Sequence, residues 1–184
     1  MKNIFIPLFI YLMILSSCDT KDPVVPNEEE LITTLIYTLT PASGVDPIVL
    51  TFKDLDGDGG QTPVISGGTL LANTAYKGIL QLSNDQASPV INISEEIKTE
   101  SDVHQFFFNT SVGLNLAVSY YDVDAAGKPL GLATKIQTGN SSSGKLTVTL
   151  RHDPNKSASG VAQGNITNAG GETDIEVSFD LVIK

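Results

Sequence analysis

The 184-residue chain has a single cysteine, a single arginine and two histidines, and each scarcity removes a class of protein. With only Cys18 there is no intrachain disulfide, so stability must come from the core. With Arg151 as the sole arginine, and 11 basic residues against 21 acidic ones, the chain lacks the Lys and Arg clusters that nucleic acid or anionic lipid surfaces require. The apolar run Ile4 to Leu15 is too short for a bilayer span. Recognisable catalytic arrangements are also missing. There is no G-x-S-x-G elbow and no histidine in a triad-like setting, and the acidic residues fall in turns, which points away from an enzyme. Helical periodicity is scarce too, and only "SEEIKTESD" at 94–102 suits a helical turn.

What is present begins with the N-terminus. Lys2 followed by the apolar run has the form of a signal-peptide h-region, and the run ends in "LSSC". Leu15, Ser16, Ser17 and Cys18 are similar to the bacterial lipobox, in which the cysteine is acylated as the new N-terminus. Each buried CH₂ of such acyl chains contributes about 0.8 kcal/mol, so two or more chains anchor stably. Residues 1–17 are then a signal peptide, and their removal takes Lys2 away and leaves a net charge of about −11. Residues 18–30, the lipidated Cys18 and "DTKDPVVPNEEE", read as a flexible acidic tether reaching roughly 40 Å when extended.

From Leu31 to Lys184 the pattern is two-residue alternation interrupted by Gly, Asn, Asp, Ser and Pro, the signature of strands. Strands are predicted at 31–40, 47–53, 63–71, 76–83, 89–94, 103–109, 114–121, 130–137, 145–151 and 173–183. Short strands separated by such frequent turns predict one all-β domain, an antiparallel β-sandwich, Ig-like or related, with a small barrel as second choice. "LLANTAY" is similar to the tyrosine corner of Ig-like domains, which implies that the Tyr76 hydroxyl bonds back to nearby backbone. A shift of 68 residues lays "LTPASGVDPIVLTFKDLDGDGG" over "FFNTSVGLNLAVSYYDVDAAGK" and suggests two duplicated halves. The section 60–78 hardly matches its counterpart, and alternating strands fall into register easily, so both explanations stand.

Four motifs bear on chemistry. In "KDLDGDGGQ", Asp54, Asp56, Asp58 and Gly59 fit the opening of an EF-hand calcium loop, but Ile65 occupies the place of its bidentate glutamate and a strand precedes it. An Asp/Gly hairpin turn is the first reading, and weak calcium binding at Asp54, Asp56 and Asp58 the second. "GNSSSGKL" approaches a phosphate-binding loop, yet Leu146 replaces the hydroxyl residue and a strand follows, so it is rejected. His104 in "HQFFFN" and His152 in "LRHDPNK" would ligate a transition metal or haem iron if they met, with structural roles as the simpler alternative. Phe106, Phe107 and Phe108 in succession require a strand covered on both faces, or an exposed ring that marks a partner surface.

Taken together, "LSSCDTKDP", the Asp/Gly turn, "HQFFF", "VTLRHDPNK" and "GGETDIEV" resemble a group of small outer-membrane lipoproteins of Bacteroidota, especially flavobacteria. The resemblance implies an outer-membrane lipid anchor on the periplasmic or cell-surface face, and a place beside TonB-dependent receptors. Acidic residues such as Asp19 and Asp22 after the lipidated cysteine are, in that group, a signal for the surface face. The implied function is a non-catalytic binding or accessory lipoprotein associated with an uptake receptor. The alternatives are a structural or adhesive β-module, calcium-stabilised, and haem or metal capture through His104 and His152.

Overall fold

The computed structural model describes residues 30–57 and 60–184. Cys18, nearly all of the acidic tether, and Asp58 and Gly59 of the Asp/Gly turn lie outside the described residues.

The fold is all-β and sandwich-like, as the alternation predicts. Strands β1 (Thr34–Pro41), β2 (Ile48–Lys53), β3 (Val64–Ser66), β4 (Gly68–Leu70) and β5 (Ala75–Ser83) precede one helix, α1 (Ile93–Thr99). Strands β6 (His104–Thr110), β7 (Leu116–Tyr120), β8 (Ala133–Thr138), β9 (Ser142–His152) and β10 (Glu172–Ile183) follow. The larger sheet has the order β3-β2-β1-β5-β8-β7, and the smaller β4-β10-β9-β6. All pairings are antiparallel except that of β4 with β10.

The period of two sets the core. In β1, Leu35, Tyr37 and Leu39 point inward, opposite Phe52, Leu50 and Ile48 of β2 on one side and Leu82, Leu80 and Gly78 of β5 on the other. In the smaller sheet Leu146, Val148 and Leu150 of β9 face Phe179, Val177 and Ile175 of β10. The inner faces of both sheets merge into one apolar cluster, which defines the sandwich. Tyr76 is buried, and its hydroxyl accepts the Leu71 N–H at 2.7 Å, as the corner motif implies.

The structure differs from the expected strands in two places. The segment 63–71 is not one strand but two, because the chain leaves the larger sheet after Ser66 and joins the smaller one at Gly68. Gly67 permits the crossing: a Cβ there would lie 1.8 Å from the Asp180 carbonyl oxygen. The segment 89–94 forms a single bridge, Asn84 to Ile91, before helix α1 begins. Pro89 has no N–H to offer a ladder, and Ile93 and Ile97, one turn apart, bury together only as a helix. Glu95 and Glu96 in its first turn and Lys98 in its last suit the helix dipole.

The halves suggested by the 68-residue shift repeat two pairings and differ in a third. β1 with β5 and β2 with β3 correspond to β6 with β9 and β7 with β8. β1 also pairs β2, whereas β6 and β7 belong to different sheets. Both Asp-rich turns join neighbouring strands of the larger sheet, β2 to β3 and β7 to β8. The three phenylalanines occupy a strand covered on both faces. Phe106 enters the main core, and Phe107 packs with Val161 and Ala169 in a small second core beneath the 153–171 segment.

Candidate metal centre

The smaller sheet brings the two histidines together. His104 opens β6, His152 closes β9, and the antiparallel register places them directly opposite each other. Their rings meet edge to face with centroids 4.5 Å apart. Both share the parity of inward neighbours, Phe106 and Leu150, so the strands aim both imidazoles at the interior. His104 is fully buried and His152 is 7% exposed.

Two carboxylates complete the cluster. β10 carries a bulge between Thr173 and Ile175, and the extra residue, Asp174, places Oδ2 3.8 Å from His104 Nε2. Glu30 lies just before β1, and its Oε1 approaches the same nitrogen to 3.0 Å. One ligand atom from each of Glu30, His104, His152 and Asp174 falls within 4.8 Å of all the others.

The hydrogen bonding shows what the cluster is suited to hold. His104 Nδ1 lies 3.1 Å from the Glu100 carbonyl, an arrangement in which Nδ1–H donates and Nε2 is left as the electron-pair donor of a neutral ring. Nε2 faces Glu30 Oε1 at 3.0 Å, an ion pair when the ring carries a second proton and a pair of ligands when a metal takes that proton's place. His152 Nδ1 and Glu30 Oε2 are buried without a hydrogen-bond partner, while His152 Nε2 lies 3.9 Å from the exposed Asp153. Buried polar atoms are seldom left so, and two within this cluster mark a place for an ion.

The electrostatics agree. Burial alone would lower the pKa of His104, but Glu30, the Glu100 carbonyl and Asp174 outweigh it and raise the value. For Glu30, burial raises the pKa and His104 overcomes this, leaving it below the ordinary carboxylate value. Two carboxylates beside buried imidazoles call for positive charge, either an imidazolium proton or a cation. A divalent ion cancels both carboxylates while both imidazoles stay neutral. Two nitrogens and two carboxylate oxygens suit zinc or a similar transition ion better than calcium, which takes oxygen ligands throughout. A haem does not suit this pair, since the rings touch each other and leave no slot for a porphyrin between them.

In front of the carboxylates lies a cleft of about 600 Å³, lined among others by Glu30, Thr33, Phe52, Asp54, Asp174 and Glu176. Asp54 is thus the one described residue of the calcium candidate near the cluster. Its Oδ1 accepts the Gly57 N–H at 2.9 Å, and Asp56 Oδ2 accepts that of Gln61 at 2.8 Å, so both carboxylates brace the turn. The rejected phosphate-loop match runs into strand β9 from Ser142 onward.

Sequence reasoning named the two histidines and missed Glu30 and Asp174. Glu30 read as the end of the tether, and Asp174 lay within an alternating strand whose bulge has no local signature. The parity of His104 with Phe106 and of His152 with Leu150 was the available signal, and it shows inward direction without showing adjacency. No protein-family model, curated protein or solved structure significantly matches the chain.

Proposed function

We propose that this chain is a lipid-anchored binding protein of the cell envelope that holds one divalent transition-metal ion among Glu30, His104, His152 and Asp174. The observation that carries this reading is the convergence of four ligand atoms within 4.8 Å, with His152 Nδ1 and Glu30 Oε2 buried there without a hydrogen-bond partner. "LSSC" supports the anchor at Cys18, and the resemblance to Bacteroidota lipoproteins supports an accessory role beside an outer-membrane TonB-dependent uptake receptor. Binding rather than catalysis fits a sequence without a recognisable nucleophile or triad.

Calorimetric titration of the full-length protein, purified in detergent and stripped with chelator, tests the metal reading. Zinc should bind at one equivalent, and His104→Ala with His152→Ala should weaken it by more than about 100-fold, the upper range for loss of mere supporting contacts. Absence of a stoichiometric zinc heat would return preference to a structural β-module. Cys18→Ser should shift the protein from the membrane to the soluble fraction. Purification from detergent-solubilised outer membrane should bring the receptor along, and recovery without one would remove the accessory role.

A further inference from the structure

The cleft and the cluster share only their carboxylates. Glu30 and Asp174 line the cleft, whereas His104 and His152 do not. An ion at the cluster therefore has imidazoles on its buried side and carboxylates toward the opening. A further donor would reach such an ion from the carboxylate side, where the cleft lies.

The cleft itself has the size of a small-molecule site and apolar wall as well as charge, from Leu31, Ile32, Phe52 and Ile175. Its charged lining residues are Glu30, Asp54, Asp174 and Glu176, all acidic. A divalent ion cancels Glu30 and Asp174 and leaves Asp54 on the cleft wall, while the Glu176 carboxylate is held by the Thr149 hydroxyl on the outer face of β10. Arg151, bonded to Thr173 Oγ1, occupies the opposite face of β9 from His152.

We infer that the bound ion keeps a coordination position open to this cleft, and that the position takes a neutral nitrogen donor, an imidazole or amine of a small molecule, in preference to a carboxylate. This rests on the metal reading above and adds to it the chemistry of the outer ligand. A carboxylate donor would bring a second negative charge beside Asp54, while a neutral nitrogen brings none. It also gives the Asp/Gly turn a part in the site, as a charged wall of the vestibule through which a cation is drawn.

Cobalt(II) is the probe, because its visible absorption reports changes in coordination. The cobalt-loaded full-length protein is titrated with imidazole and, separately, with acetate, and its cobalt content is measured after desalting. Imidazole should shift the cobalt band saturably with the metal retained, and acetate should bind at least about tenfold more weakly, a difference of 1.4 kcal/mol. Asp54→Asn should narrow that gap, since it removes the charge from the cleft wall while the amide still offers an oxygen to the Gly57 N–H and keeps the turn braced. A band that neither ligand moves, loss of cobalt to imidazole, or acetate binding as well as imidazole would each overturn the inference while leaving the metal site standing. Failure of cobalt and zinc to bind at all would overturn both.

Discussion

The Asp124 carboxylate accepts the Ala126 and Lys128 N–H groups on Oδ1, and its Oδ2 lies 3.0 Å from Lys156 Nζ, with both side chains almost wholly buried. Lys156 also donates to the Ser101 carbonyl, so this pair ties the β7–β8 turn to the segment after β9 and the loop after α1. Burial raises the pKa of Asp124, but the Lys128 N–H, Lys156 and the Ala126 N–H outweigh it and bring the value below normal. Between the lowered folded value and the unfolded value near 3.9, the unfolded chain binds a proton that the folded one does not. Stability from this group is therefore complete above the unfolded pKa and lost as pH falls through the folded one. Asp124→Asn leaves Lys156 buried without its counter-charge, so it should cost about 3 kcal/mol at pH 7. The gap to the parent should begin to close as the pH falls below about 4, where the unfolded chain's carboxylate protonates, and be gone once the pH is below the lowered folded value. Urea denaturation across pH checks this, and a gap that widens in acid would refute the assignment.

At the scale of elements, two positions decide how the sheets are assembled. Gly67 marks the point where one apolar run divides between sheets. Gly67→Ala forces a methyl against the Asp180 carbonyl of β10, and should destabilise the fold by about 3 kcal/mol or more in denaturant titration. A near-neutral result would mean that β10 yields easily at this crossing. Phe107, on the outer face of β6, anchors the 153–171 segment through Val161 and Ala169. Phe107→Ala should cost about 3 kcal/mol and make that segment the first site of proteolytic cleavage, because little else apolar holds it down. Cleavage elsewhere first would show that the Lys156–Asp124 pair holds the segment instead.

Over the whole molecule, the proposed ion would join the residues before β1 to β6, β9 and β10, chain segments that meet only when folded. A ligand bound by the native state alone stabilises it by mass action, about 2.7 kcal/mol at a free concentration 100 times the dissociation constant. Zinc should therefore raise the unfolding midpoint by a corresponding amount, chelator should reverse the gain, and Asp174→Ala should abolish most of it. Equal zinc responses in parent and variant would place the ion elsewhere. The strongly acidic composition, 21 Asp and Glu against 11 Lys and Arg, agrees with a surface that attracts cations.

Period-two alternation was enough to establish an all-β chain, because a strand's inward face is written in every second residue: Leu35, Tyr37 and Leu39, or Leu146, Val148 and Leu150. Leu70 and Tyr76 announced their corner for a similar reason, since that hydrogen bond closes within five residues. The turns around Asp54 and Asp124 were legible because Asp and Gly act on the backbone nearby, as in the N–H groups of Gly57, Ala126 and Lys128 that these carboxylates accept. The candidate metal centre was legible only in part. His104 and His152 could be read as inward-facing histidines, but their meeting depends on the register of β6 against β9. The approach of Asp174 depends on a bulge in β10, and that of Glu30 on the path of the chain into β1. Strand pairing is set by the packing of the whole core, and no local pattern encodes it. The sequence by itself determined most of the strands, with their faces and turns, and tertiary structure alone decided where 63–71 divides between the sheets and which acids met which histidines.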